Sequence, residues 1–184
     1  MQGDIREHFD MIKRCSSEPV LIKFPDEIEN IDGLIIPGGE STVIGMLIEK
    51  SGIGSAIIKN VHRDMPIYGT CAGAIILAKE IVGSTQPRLG LIDIAVKRND
   101  YGRQIESFED DIEVNDFNTS FRAVFIRAPV IVRIGKGINT LSTYNNKPVL
   151  VKAGNILVST FHPELTNDNR IHEYFLSICQ EANK

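Results

Sequence analysis

Residues 66–80 limit what this chain can fold into more than any other stretch. A short apolar run, Pro66-Ile67-Tyr68, reads as a buried strand, and good helix formers with Ile75, Ile76 and Leu77 follow it. Between them lies Gly69-x-Cys71-x-Gly73, the spacing of a nucleophile elbow with cysteine at the apex. The apex of so tight a strand-to-helix turn has strained backbone angles, so its neighbours two residues either side must lack bulk. The turn also leaves Cys71 at a helix N-terminus, where free N–H groups and the helix dipole favour a negative sulfur. The N–H of Ala72 then points to where an oxyanion would form. Taken alone, the pentapeptide is equally a glycine-bordered turn around a small buried cysteine. The rest of the chain has to decide.

Upstream, residues 4–15 carry Ile5, Phe9, Met11 and Ile12 among charges, the pattern of an amphipathic helix with Asp4 as its N-cap. Val20-Leu21-Ile22 reads as a short strand, residues 25–30 as an acidic turn or one-turn helix, and Gly33-Leu34-Ile35-Ile36 as a buried parallel strand. The last run ends in Pro37-Gly38-Gly39-Glu40-Ser41-Thr42, a loop of residues that tolerate unusual backbone angles. Ser41 or Thr42 is placed to cap a helix over 43–50, and 52–63 reads as a further short helix.

Past the elbow helix the chain turns β-rich, with strand-like runs at 92–96, 111–114, 123–127, 130–134, 148–152 and 156–160. Gly154-Asn155 separates the last two as a hairpin turn. Residues 168–182 form a terminal helix with Ile171, Tyr174, Phe175 and Ile178 on one face. Alternating strands and helices in the first half predict a three-layer α/β fold, a mostly parallel central sheet with helices on both faces. The second half adds mixed or antiparallel strands at an edge. In such sheets the ligand site lies at the carboxyl ends of the strands, where the 37–42, 69–73 and 161–164 loops converge.

A thiol nucleophile needs a base, and the base needs an orienting group. Of the four histidines, His8, His62 and His172 fall on predicted helix surfaces among charged residues and are expected to be solvated. His162 differs: it directly follows an apolar strand and is separated from Glu164 by Pro163, whose fixed backbone keeps imidazole and carboxylate in a set relation. Glu164 can accept the Nδ1–H of His162 and hold Nε2 toward the thiol. Gly38 and Gly39 let a peptide N–H approach a reacting carbonyl, a second oxyanion donor beside Ala72. Arg98, Arg103 and Arg127 are the candidate carboxylate-binding cations, while Tyr101 and Phe108 serve equally as packing or as ligand contacts.

At 184 residues, 42% hydrophobic and 24% charged, the chain suits one globular domain over 1–184. A net charge of -4 gives no electrostatic reason to bind nucleic acid or anionic lipid, and no apolar run approaches the ~20 residues a membrane helix needs. Three widely spaced cysteines, an odd number, argue against a disulfide framework and for a reducing cytoplasm. No metal-ligand spacing is present, and no metal or cofactor is expected.

Gly-Thr-Cys-Ala-Gly, Pro-Gly-Gly-Glu-Ser-Thr and Phe-His-Pro-Glu-Leu, around one sheet, resemble a class I (triad) glutamine amidotransferase domain of flavodoxin-like build. With Arg98-Asn-Asp-Tyr-Gly-Arg-Gln104, Glu106-Ser-Phe-Glu109 and Val124-Phe-Ile-Arg-Ala-Pro129, nearly the whole chain resembles the glutaminase-subunit family of pyridoxal 5′-phosphate synthases. The resemblance implies hydrolysis of L-glutamine to glutamate and ammonia. The ammonia is passed to a separate synthase subunit, which builds the cofactor from pentose and triose phosphates. It makes Cys71 the nucleophile, His162 the acid/base and Glu164 its orienting partner. Gly39, Glu40 and Ser41 then bind glutamine, with Arg98, Ile126 and Arg127 completing the pocket and Gly39 and Ala72 as oxyanion donors. It also implies near-inactivity until the synthase docks, with the oxyanion hole at Gly38–Glu40 forming only in the complex.

Members of that family usually open with a short apolar strand running into Gln-Gly-Asp. Here Met1 precedes Gln2-Gly3-Asp4 directly, so that strand is expected to be missing and the true start to lie a few residues upstream. Three other readings compete. The same chemistry could serve another biosynthetic pair, the elbow could belong to a thiol hydrolase or peptidase, or the chain could be a non-catalytic flavodoxin-like interaction module.

Overall fold

The computed structural model describes residues 3–98, 107–115 and 117–184. At its centre, β2 (Ile67–Thr70) lies between β1 (Leu34–Ile36) and β10 (Ile156–Ser159), parallel to both. β9 (Lys147–Ala153) and β8 (Asn139–Tyr144) extend the sheet antiparallel beyond β10. Side chains on a strand alternate between faces, and here they sort into two cores. Ile67, Val151 and Val158 join the core under α2 (Ser41–Lys50), α3 (Ile53–Val61) and α4 (Ala72–Leu77). Tyr68, Leu150 and Leu157 join the opposite core, with Ile171, Phe175 and Ile178 of α5 (Arg170–Ala182). The expected three-layer α/β arrangement follows, with a parallel centre and an antiparallel extension.

Two smaller sheets complete the β-rich half. β3 (Ala78–Ile81), β4 (Ile92–Lys97) and β7 (Val130–Ile134) form one; β5 (Ser107–Ile112) and β6 (Phe121–Ile126) form the other. Register brings three loop starts to one edge: Ile36 pairs with Gly69, and Ser159 with Thr70. Among the described residues no single helix is long and apolar enough to cross a membrane.

Several elements depart from the expectations, for identifiable reasons. Residues 20–22 are not a strand. They face Leu34 and Ile35 across a cleft of about 510 Å³, also lined by Ile5, Phe9 and Phe175, and a strand needs a ladder partner about 4.8 Å away. The elbow helix stops at Leu77 because Ala78 turns to extended backbone and 78–81 pairs with β4 around a register shift between Ala78 and Glu80, which leaves Lys79 and Glu80 exposed between buried Ala78 and Ile81. The α2 cap is Glu40, whose carboxylate accepts from the Thr42 and Val43 N–H groups, and neither Ser41 nor Thr42 serves. Asp4 precedes α1 (Ile5–Arg14) as expected but makes no side-chain cap. Its carboxylate is used elsewhere.

Candidate active site

The elbow forms because β2 is walled in on both sides and has to turn abruptly at its carboxyl end. Cys71 sits at φ 47° and ψ -99°, a strained conformation for a residue with a side chain, and its N–H donates to Ser159 O at 2.9 Å. The flanking glycines meet the requirement read from sequence. A Cβ on Gly69 would lie 2.7 Å from the Gly73 backbone, and one on Gly73 would collide with Ile36 O. The thiol is buried, with Sγ 3.8 Å from Ile126 O.

His162 arrives from β10, fixed by its N–H to Val124 O at 2.8 Å. The single 3₁₀ turn Pro163–Leu165 carries Glu164 back under the ring, placing Oε1 2.8 Å from Nδ1. Asp4 Oδ2 stands 3.2 Å from the same nitrogen. With Nδ1 held by carboxylates, Nε2 is left for the sulfur. Burial works against a charged ring, but Asp4, Cys71 and Glu164 outweigh it and push the His162 pKa up to about 12. Burial also raises Glu164, opposed by its bond to His162. Asp4 is held low, chiefly by His162. Asp4, His162 and Glu164 each offer one ligand-type atom within 4.8 Å of the others. Both carboxylate contacts run to Nδ1, so the set reads as a hydrogen-bonded cluster.

The remaining expected residues fall into two groups. Gly38 packs against the imidazole, where a Cβ would meet His162 Cε1, and Gly39 follows at φ 141° on the exposed side of the loop. Beyond it, Arg98 Nη1 donates to Gln86 Oε1 at 2.8 Å and to Thr42 Oγ1 at 3.3 Å. Ser41 Oγ lies 3.5 Å from the same Gln86 oxygen; burial works against the Glu40 carboxylate, but the Val43 and Thr42 N–H groups, with Arg98 adding to them, hold its pKa low. Ile126 and Arg127 close the opposite side at the end of β6, both exposed, Arg127 at φ 43°. Phe108 stacks on Phe125 at 4.6 Å between ring centroids, a packing role. Tyr101, Arg103 and Glu106 lie outside the described residues.

Two expectations need correcting. His8 and His172 are not solvated: they are 5% and 0% exposed, with His8 Nδ1 3.0 Å from His172 Nε2. Their charged neighbours concealed the faces they occupy. His8 shares one with Met11 and Ile12, and His172 shares one with Ile171, Phe175 and Ile178. His62 is exposed, as expected. Gln86, Thr70 and Asp4 are neighbours of the site that residue patterns do not reveal; Gln86 and Asp4 reach their partners only through tertiary packing.

This geometry has close relatives. The chain matches the SNO glutamine amidotransferase family over residues 1–181. It belongs to that family. It is 51% identical to the pyridoxal 5′-phosphate synthase subunit PdxT of Kosmotoga olearia, over 96% of this chain and 93% of that one. It is 46% identical to the same-named subunit of Fervidobacterium nodosum, over 100% and 96%. A crystal structure of a glutamine amidotransferase superposes with a TM-score of 0.94 at 49% identity, covering 97% of this chain and 95% of the other. PurLQS from Thermotoga maritima, at 18% identity and TM-score 0.65, shares the fold alone, over 96% and 90%. Within the glutamine amidotransferase family the elbow cysteine and the His-Pro-Glu turn are the features to explain.

Proposed function

We propose that this chain is the glutaminase subunit of a pyridoxal 5′-phosphate synthase, with residues 1–184 acting as one amidotransferase domain. The observation that carries the reading is a strained, buried Cys71 near enough to His162 to help raise its pKa, with His162 Nδ1 held by Glu164. The family and the PdxT relatives supply the substrate and the partner class. In the proposed reaction Cys71, as thiolate, attacks the side-chain carboxamide carbon of L-glutamine. The N–H groups of Gly39 and Ala72 hold the oxyanion, Ala72 being the first residue of α4 and its N–H without an intrahelical partner.

His162, as the imidazolium, then protonates the leaving nitrogen, and ammonia departs as the C–N bond breaks. This leaves the glutamyl thioester on Cys71. Neutral His162 next takes a proton from water, whose oxygen displaces the sulfur and releases glutamate. Glu40, Ser41, Arg98, Ile126 and Arg127 line the glutamine pocket, and a guanidinium grips the α-carboxylate. Ammonia passes to the synthase subunit. The reaction belongs in the cytoplasm, where a free thiol nucleophile persists; all three cysteines are free.

Glutamate release is measured with and without the synthase subunit. The expected result is turnover that rises on adding the synthase and is absent in Cys71→Ala. Turnover with the synthase that survives Cys71→Ala removes the proposal.

A further inference from the structure

The triad is not the end of the buried polar chain. Glu164 uses Oε1 for His162, but its Oε2 is equally buried and has no hydrogen-bonding partner of good geometry. His8 Nε2 stands 3.5 Å from that oxygen and 3.2 Å from Thr70 Oγ1. On its far side, His8 Nδ1 meets His172 Nε2 at 3.0 Å, and His172 Nδ1 is buried without a partner. α1 packs against the 3₁₀ turn that carries Glu164, so the contact is built by two elements.

One arrangement of protons leaves these atoms least unsatisfied. A neutral imidazole has one donor and one acceptor nitrogen, and a carboxylate only accepts. If His8 carried its proton on Nδ1, a bare Nε2 would face the lone pairs of Glu164. His172 Nε2 would then accept, and its Nδ1–H would be a buried donor with no partner, the rarer and costlier defect. The reverse arrangement leaves only a bare nitrogen on His172. The chain therefore runs one way: His172 Nε2–H to His8 Nδ1, then His8 Nε2–H toward Thr70 Oγ1 and Glu164 Oε2.

We infer that His8 is a positioning residue for the triad, presenting its Nε2–H to the outer oxygen of Glu164 from beside Thr70, with His172 fixing its tautomer. The inference rests on the glutaminase reading of this site. The groups facing His8 are Asp4, His162 and Glu164 on one side and His172 on the other. Burial dominates over them, taking His8 down to about 3 and His172 to about 4, so both rings are neutral donors near pH 7. With the His8 Nε2–H beside its outer oxygen, the Glu164 carboxylate gains little by rotating away from His162. His8 thus acts on kcat through Glu164 and leaves glutamine binding alone.

The full chain, with its synthase, is assayed as parent, His8→Leu and His8→Gln. Gln places an amide N–H where Nε2 stood. His8→Leu is expected to lower kcat about tenfold with KM within about twofold, and His8→Gln to recover to within about threefold of the parent. Imidazole ¹⁵N shifts of the parent at pH 6 are expected to read His8 as neutral and protonated on Nε2. Parental kcat in His8→Leu, equal impairment in His8→Gln, or a cationic or Nδ1–H His8 each overturns the assignment. A parent that releases no glutamate with its synthase overturns the glutaminase reading instead, and the ¹⁵N shifts still decide the tautomer. Should His8→Leu not fold, His8→Gln and those shifts carry the test.

Discussion

Asp4 Oδ2 lies 3.2 Å from His162 Nδ1, the nitrogen that Glu164 Oε1 already holds at 2.8 Å. The two carboxylates are not equivalent. The Glu164 side chain is fully buried, whereas that of Asp4 is 34% exposed and approaches from the start of α1. The shorter, dry contact orients the ring; the longer, wetter one adds charge that helps hold it protonated. Asp4→Asn should therefore lower the His162 pKa, moving the alkaline limb of kcat/KM down by about one pH unit. Glu164→Gln should lose kcat itself, by a factor of about a hundred or more. A pH–rate profile of each variant checks this, and an unmoved alkaline limb in Asp4→Asn counts against the charge role.

The elbow strain makes a prediction about stability. At φ 47° and ψ -99° the Cys71 backbone suits glycine better than any residue with a Cβ. Cys71→Ala and Cys71→Gly should both lose glutamine turnover by about a thousandfold or more. Elsewhere glycine is the less stable of that pair, but here Cys71→Gly should exceed Cys71→Ala by about 1 kcal/mol. Urea denaturation of the two variants measures the difference. Alanine proving the more stable would mean the strain is not borne by this residue.

Much of this site was legible in sequence because its chemistry is local. Gly69, Cys71 and Gly73 encode the elbow within five residues, and His162-Pro163-Glu164 encodes an imidazole–carboxylate bond within three. What was not legible depends on distant partners. The burial of His8 and His172 follows from which helix faces meet the sheet and each other, which charged neighbours do not reveal. Asp4 has the residue type and position of a helix cap, yet its carboxylate is drawn to His162, a contact across the fold. Residues 20–22 have the composition of a strand but face a cleft in place of a ladder partner. Glu40 displaced Ser41 as the cap because its longer side chain reaches two N–H groups at once.

Gly38 offers a test of the loop against the ring. Its φ is not in the left-handed region, so alanine adds only bulk, and that bulk meets His162 Cε1 and lies 2.8 Å from Asp4 Oδ2. The imidazole has to shift, and a displacement of under an ångström at a reacting group costs about a hundredfold in rate. Gly38→Ala should lower kcat by about that factor while the denaturation midpoint stays near the parent's. Equal loss of stability and activity would instead mean that the whole loop has been dislodged.

The buried histidine pair also fixes how the fold responds to acid. Both groups have folded pKa values below the ordinary 6.5, about 3 for His8 and about 4 for His172, with burial the main cause. Between pH 4.5 and 6 the unfolded chain thus binds up to two protons that the folded chain does not. Stability then rises with pH, or equivalently falls on acidification, at about 1.4 kcal/mol per pH unit per proton. Glu164, raised by burial, works the other way by at most one proton. Asp4, Glu40 and Asp168, all lowered, contribute only nearer their ordinary carboxylate range and below. The measurement is best made in Cys71→Ala, which takes the thiol out of the proton balance. Urea midpoints there should fall from pH 6 to 4.5, and adding His172→Leu should flatten the slope by about one proton's worth. A slope that His172→Leu leaves unchanged would mean that His172 takes up its proton without unfolding, against the buried, neutral pair described above.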